Sequence, residues 1–460
     1  MQQHWPDVGM DEAAVLARVR EALDGIIDHR HSGYPLILSF PMTRPLDIAI
    51  AAFAEAMPRQ PNNIITTTNC DGEPEWAGTR ALEREAVYMA AELLGMDDPA
   101  ANADGYICPG GTEANLQGMW LGRNRLRERG CLRIGIIASC EAHYSVMKGS
   151  DLIGIGPENA TAEPMPRGWL RIRRERGHSG LALCSVRPDG GIDLASMRME
   201  IDAMLREGFD GIIIVANAGS SHIGAVDDVN GMLGLLREYR QRYPALAWHV
   251  HVDAAFGGLA LPFSEHNPGG WDFANPAVDS ITIDPHKFGR TPAPAGMFIC
   301  RKGQLDHVCR MVSYLHEGRD DTISGSRSGA AAVACWAAFS AMGRDGYRRQ
   351  FEEMMQLKQQ LISGLAAFPQ LKVIDSPQNT FGFHIGDDVD DDTHGRLTDL
   401  FNDHSRYVLR WSHVFAYQKD GWQYCRPVYK VLVMPHLDEA KVERFLSDIG
   451  NCIENRLATE

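Results

Sequence analysis

Four short stretches carry side chains whose types and spacing could do chemistry, and each has an ordinary reading beside the chemical one. Lys287 ends the run Asp279-Ser280-Ile281-Thr282-Ile283-Asp284-Pro285-His286-Lys287 and is the one lysine between Lys148 and Lys302. An exposed strand-end lysine is the commoner case. An amine buried there must be neutralised, paired or used covalently, and a buried amine is also what forms a Schiff base. Asp253 closes His249-Val250-His251-Val252-Asp253 and is followed by Ala254-Ala255-Phe256-Gly257-Gly258. That delivers one carboxylate to a strand end with small residues above it, either to meet a cation or to cap a helix. In Cys108-Pro109-Gly110-Gly111-Thr112-Glu113-Ala114-Asn115 a glycine turn opens a helix whose first N–H groups suit a phosphate; a tight turn with a Thr cap is the plainer reading. His143, in Ala142-His143-Tyr144-Ser145, can stack on a heteroaromatic ring or simply be a structural histidine.

Taken together, a phosphate cradle, a stacking imidazole, a carboxylate for a ring nitrogen and an imine-forming lysine are the parts that pyridoxal 5'-phosphate requires. The separation of Asp253 and Lys287, 287 − 253 = 34 residues, allows one excursion to an adjacent strand.

The elements that would position these residues follow from the apolar pattern. From about Leu46 to Arg301 helical runs (Leu46–Met57, Arg80–Leu94, Glu113–Arg129) alternate with short strands at Tyr106–Cys108, Ile134–Ser139, Leu181–Val186, Gly211–Ala216, Trp248–Val252, Ser280–Ile283 and Gly296–Cys300. Continuous β-branched runs point to a mostly parallel sheet buried on both faces, and its C-terminal strand edge is where ligands bind. After about Val312 the texture changes to a long helix, Ala331–Phe368, then strands at Leu371–Ile374, Gly382–Ile385 and Lys430–Val433 and a helix from Asp438. This reads as a smaller α+β domain with an antiparallel sheet. The first fifty residues read as an arm: a helix over Ala13–Ile27, then the rigid Phe40-Pro41-Met42-Thr43-Arg44-Pro45.

Composition narrows the field. The chain has 460 residues, 44% hydrophobic and 23% charged, with 45 Lys+Arg against 60 Asp+Glu for a net charge of −15. Such a surface repels phosphate backbones and anionic lipid, and the nearest basic run, Arg123 to Arg133, also holds Glu128 and reads as a solvated helix face. No nucleic-acid or membrane partner is expected. Ten cysteines occur singly without C-x-x-C pairs, which argues against structural zinc, any other metal centre or a disulfide framework. Met1 to Asp11 lacks a signal-sequence pattern, and no apolar stretch approaches the ~18 residues of a membrane span. The expectation is a soluble, cytoplasmic protein.

In order along the chain, Gly-Gly-Thr-Glu-Ala-Asn (110–115), His-Tyr-Ser-Val (143–146), Val-Asp-Ala-Ala-Phe-Gly-Gly (252–258) and Asp-Pro-His-Lys (284–287) resemble the group II pyridoxal-phosphate-dependent amino acid decarboxylases. The likeness is nearest to archaeal-type L-tyrosine/L-aspartate decarboxylases, with histidine decarboxylase and sphingosine-phosphate lyase as cousins. It extends to Gly78–Glu83, Ala218-Gly219-Ser220-Ser221, Thr322–Gly329 and Val433–His436. The resemblance implies fold type I, aspartate aminotransferase-like. It divides the chain into an arm packing on the partner subunit (1–50), a large α/β domain with a mostly parallel seven-stranded sheet (51–311) and a small C-terminal α+β domain (312–460), in a homodimer with shared active sites. It further implies that Lys287 forms the imine, His286, Gly111 and Thr112 hold the phosphate, and Ser326 reaches it from the neighbouring subunit. Asp253 then pairs with the pyridine nitrogen, Ala255 packs under the ring, His143 stacks above it, Ser220 (usually Thr in the family) meets the ring hydroxyl, and Tyr314 protonates the carbanion.

Two departures stand out. Lys430 occupies the place of a family arginine that grips the substrate α-carboxylate, with Arg44 or Arg426 as possible substitutes; Arg290 stands where relatives are apolar, so it or His222 could read a polar substrate group. The implied activity is decarboxylation of an aromatic or acidic L-amino acid. The alternatives are a C–C lyase, or a decarboxylation-coupled aldehyde- or bond-forming enzyme on the same scaffold, and a non-catalytic binding protein.

Overall fold

A computed structural model describes residues 8–30, 33–41, 43–65, 67–70, 72–157, 160–174, 179–316 and 318–455. Residues 1–7, 31, 32 and 42 of the expected arm, and 456–460 of the expected small domain, lie outside the described residues.

All seven strands expected between residues 106 and 300 form one sheet. Its order is Ala103–Cys108, Gly296–Arg301, Ser280–Ile283, Ala247–Asp253, Gly211–Asn217, Ile134–Ser139, Leu181–Cys184. Only Gly296–Arg301 runs antiparallel to its neighbours; the remaining pairs are parallel. Gly211–Asn217 is buried at every position, as a strand covered by helices on both faces requires. One face carries the helix Gly111–Glu128, and the helices Leu194–Arg206 and Val229–Arg242 pack together elsewhere on the sheet.

Two motifs that served only as marks of resemblance turn out to clasp each other. Arg327 donates to Glu83 and to the Ile107 carbonyl, and Glu83 accepts from the Ile107 N–H at 2.7 Å. Both side chains are buried, so this charge pair is costly to break. It anchors the 322–328 segment to the edge strand Ala103–Cys108.

The second sheet is antiparallel and six-stranded. Leu371–Ile374, Thr380–Ile385, Arg410–Lys419 and Trp422–Leu432 come from the C-terminal part of the chain, but the hairpin Ala160–Pro164/Leu170–Arg174 joins from its middle. That insertion was not foreseen: Ala160–Pro164 is mostly exposed, and Leu170–Arg174 is half-exposed and rich in arginine, so neither strand has a buried apolar signature. The 38-residue helix Gly329–Ala366 is broken at Gly343, where φ is +57°. The N-terminal helix Glu12–Asp24 is capped by Asp11 and has no buried residue.

Candidate active site

The C-terminal ends of the parallel strands open onto a cavity of about 260 Å³. Lys287, Asp253, Ala255, His143, Gly111, Thr112, Ser220 and His286 all line it, together with Asn115, Asn217, Phe256, Asp284 and others. Eight residues expected from five distant stretches therefore meet in one place. Lys287 is 16% exposed, and its Nζ lies 2.9 Å from Asp284 Oδ2 and 3.9 Å from the centre of the Phe256 ring. Asp253 is buried; its Oδ2 accepts from Asn115 Nδ2 at 2.7 Å and its Oδ1 from the Ala255 N–H at 3.1 Å. His143 caps the helix Tyr144–Leu152, its Nδ1 lying 2.8 Å from Ser145 Oγ. Burial, partly offset by the charge of Asp253, lowers the pKa of its imidazole. Ser220 Oγ accepts from the Ala225 N–H at 3.1 Å, leaving its own proton free to donate into the cavity.

The floor is shaped for a close ligand. Gly110, with φ +125°, precedes the helix Gly111–Glu128, and no side chain caps that helix at its start, where Gly111 and Thr112 line the cavity. A Cβ on Gly111 would come within 2.9 Å of Asp284 Oδ2 and 3.2 Å of the Ala255 Cβ. Two buried polar atoms on the lining, Asp284 Oδ1 and Asn217 Nδ2, have no hydrogen-bond partner. Orphaned groups of this kind are expensive unless something polar occupies the space. An uncapped helix start, a reachable amine, a held carboxylate and orphaned polar atoms fit a phosphorylated heteroaromatic aldehyde.

Lys430 stands just beyond the lining. Its Nζ is 5.7 Å from the same Phe256 ring, and burial plus the charge of Lys287 push its pKa down to about 8. His222, hydrogen-bonded through Nδ1 to Ser412 Oγ at 2.8 Å, is driven down to about 4 by burial and then by Lys430. Other expected residues lie elsewhere in this chain. Arg290 (φ +54°) turns its guanidinium to the Arg44 carbonyl and to Gln350 Oε1. Arg44 pairs with Asp47, and Arg426 with His384 and Asp387. Ser326 accepts from Asn62 Nδ2 at 3.1 Å, and Tyr314, on a loop between two short strands, is 84% exposed. Neither Ser326 nor Tyr314 lines the cavity.

Sequence reasoning did not give roles to Asn115, Asn217, Phe256 or Asp284. Asn217 sits one residue past the expected strand end and in register with Asp253, a pairing that only the sheet reveals. Phe256 and Asp284 lay within quoted motifs, so the signal was present but unused.

Comparison with known proteins agrees with this geometry. Residues 73–381 match the conserved domain of pyridoxal-dependent decarboxylases. A probable L-tyrosine/L-aspartate decarboxylase of Methanothermobacter thermautotrophicus is 30% identical over 387 residues, covering 82% of this chain and 89% of its own. A protein of the same description from Methanothrix thermoacetophila is 29% identical over 450 residues, covering 98% and 97%. Among solved structures, Catharanthus roseus tryptophan decarboxylase in complex with L-tryptophan superposes with a TM-score of 0.77 at 15% identity, covering 99% of this chain and 90% of that one. A sphingosine-1-phosphate lyase of Burkholderia pseudomallei gives 0.73 at 20% identity, covering 99% and 93%. The fold is that of the fold type I pyridoxal-phosphate enzymes, and the chain belongs to the pyridoxal-dependent decarboxylase family, as a pyridoxal-phosphate-dependent amino acid decarboxylase.

Proposed function

We propose that this enzyme removes the α-carboxylate of an aromatic or acidic L-amino acid, giving the amine and carbon dioxide. The observation that carries the reading is the convergence of Lys287, Asp253 and His143 on one cavity beside a half-buried Lys430. Relatives named for aspartate, tyrosine and tryptophan decarboxylation support this choice of substrates.

When bound, pyridoxal phosphate supplies an electron sink for the pair left when a bond to Cα breaks. Lys287 holds it through Nζ, and Asp253 keeps a proton on the ring nitrogen, because an opposite charge favours the charged form. Gly111, Thr112 and His286 hold the phosphate, joined by Ser326 across the subunit interface. Ser220 meets the ring hydroxyl, and Ala255 and His143 enclose the ring. Lys430 binds the substrate α-carboxylate as a point charge, whereas an arginine would grip it in two places. Among the described residues no carboxylate offsets the burial of Lys430, so a substrate anion is its natural counter-charge. Tyr314 returns a proton to Cα, a step worth ~10²–10⁴-fold.

The enzyme works as a homodimer with shared sites. In support, the N-terminal helix buries nothing in its own chain while exposing Val15, Leu16, Val19 and Leu23, an apolar stripe that needs a partner. Tyr314 and Ser326, away from their own cavity, suit a neighbour's. We place the protein in the cytoplasm: its ten cysteines occur singly along the sequence with no C-x-x-C pair, a pattern that suits a reducing compartment, and no helix among the described residues is long and apolar enough to cross a membrane.

Incubating the cofactor-loaded enzyme with each of the twenty amino acids, while following carbon dioxide and amine, tests the reading. Amine and carbon dioxide in equal amounts from aromatic or acidic substrates are expected. Aldehyde or carbon–carbon cleavage products, or no turnover of any amino acid, would overturn it.

A further inference from the structure

Behind Asp253 lies a file of polar side chains of which Asn115 alone lines the cavity. The strand Ala247–Asp253 presents His249, His251 and Asp253 to one face, at the two-residue spacing of a pleated strand. The helix Gly111–Glu128 packs on this strand. Both imidazoles are completely buried, and the helix admits them with glycines: a Cβ on Gly118 would lie 2.2 Å from His251 Nδ1, and one on Gly122 2.7 Å from His249 Cδ2.

The contacts run without a gap from a cation to the cofactor-side carboxylate. Arg125 Nη1 is 3.2 Å from His249 Nδ1; His249 Nε2 is 3.2 Å from Ser280 Oγ; Ser280 Oγ is 2.8 Å from His251 Nδ1. His251 Nε2 is 3.0 Å from Asn115 Oδ1, and Asn115 Nδ2 is 2.7 Å from Asp253 Oδ2. Donor and acceptor chemistry permits one consistent direction. Guanidinium only donates, so one Nη1 hydrogen goes to Asp279 Oδ1 at 2.6 Å and the other to His249 Nδ1. His249 then carries its proton on Nε2 and gives it to Ser280, whose single proton goes to His251 Nδ1. His251 in turn donates from Nε2 to Asn115 Oδ1, with Thr282 Oγ1 at 3.2 Å as a second acceptor, and the Asn115 amide donates to Asp253. Asp279 Oδ2, 3.5 Å from His249 Nδ1, is taken by the Val250 N–H at 2.9 Å. Burial keeps both imidazoles neutral, pushing His249 down to about 4 and His251 to about 3.

We propose that Arg125, His249, Ser280, His251 and Asn115 are positioning residues for Asp253. They form a one-way hydrogen-bond chain that fixes its rotamer and stabilises its negative charge where the cofactor's ring nitrogen requires it. The inference rests on the role given to Asp253 above. Aligned bonds polarise one another in a low dielectric, so a cation at the far end strengthens the last donor in the file. Each imidazole's tautomer is set by its neighbour, as outer partners set those of metal-bound histidines. The far end opens into a separate cavity of about 540 Å³ lined by Arg125, Arg129, Arg240 and Asp279, so Arg125 can be altered without touching the cofactor cavity.

The test uses holoenzyme variants Ser280→Ala, Ser280→Thr, Arg125→Gln and, as control, Asp253→Asn. The readouts are the pH midpoint of the bound cofactor's visible absorption band and the cofactor dissociation constant. Ser280→Ala deletes one hydroxyl in mid-chain and is expected to shift the midpoint by ~0.5 unit or more and weaken cofactor binding ~10-fold. Arg125→Gln should act in the same direction and Ser280→Thr should restore wild-type values. If Ser280→Ala and Arg125→Gln lower only the thermal midpoint, the file is packing and the inference falls. If Asp253→Asn also leaves the band unchanged, the role of Asp253 itself falls instead.

Discussion

The cavity floor and the segment from Arg310 to Ser328 contain residues of equal expected importance, yet folding of one chain treats them in opposite ways. On the floor, Lys287 is 16% exposed and engaged with Asp284 and Phe256, and Asp253 is buried and doubly hydrogen-bonded. On the segment, Tyr314 is 84% and Met311 85% exposed, and Ser326 accepts a hydrogen bond from Asn62 by its side chain. Residues at the ends of adjacent parallel strands are delivered to one edge by the sheet itself. A residue on an exposed loop acquires a chemical environment only when another surface meets it.

That contrast can be broken or sharpened by experiment. The largest effect belongs to the floor: Lys287→Ala should cost at least ~10³-fold in kcat/KM and abolish the covalent cofactor's visible absorbance, with residual wild-type absorbance counting against the assignment. Next, Tyr314→Phe should lower amine formation by ~10²-fold or more and raise carbonyl by-product, while cofactor affinity stays unchanged. The decisive version mixes Lys287→Ala with Tyr314→Phe under subunit exchange. If sites are shared, half the dimers carry one intact site each, and activity should recover to about a quarter of wild type; no recovery would confine both residues to one chain.

Lys430 lies between the extremes, half-buried and outside the lining. Lys430→Gln should raise KM ~10–100-fold with a smaller change in kcat. Because the ammonium form binds a carboxylate and its pKa is pushed down to about 8, wild-type KM should climb as pH rises through about 8, and Lys430→Arg should move that climb to higher pH. A pH-independent KM in the wild type would remove Lys430 from carboxylate binding. The smallest effect is at the exposed extreme: Leu16→Asp should weaken subunit association by ~1–2 kcal/mol, read as an increased monomer fraction on dilution in sedimentation.

Much of the fold was legible because burial writes itself into composition. Seven short strand segments, several of them continuous apolar runs, marked the seven strands of the main sheet, and Lys287, Asp253, His143 and Gly111 were legible because strand ends and glycine turns have strong local signatures. The hairpin 160–174 was not: Leu170-Arg171-Ile172-Arg173-Arg174 is stabilised by pairing with Trp422–Leu432, a partner some 250 residues away that no local pattern announces. Asn115 was quoted within a motif, but its meeting with Asp253, 138 residues on, is a property of helix–strand packing. Arg290 illustrates the reverse: it is three residues from Lys287, but its left-handed backbone, φ +54°, turns the side chain away to Arg44 and Gln350.

By itself, then, the chain of amino acids determined which groups can react and which segments must be strands and helices, because both depend on side-chain chemistry and short-range periodicity. Only the tertiary structure decided which of those groups share a cavity and which polar side chains line up behind Asp253. Those outcomes turn on ångström-scale distances between elements far apart in sequence, set by how the sheet and its helices pack together.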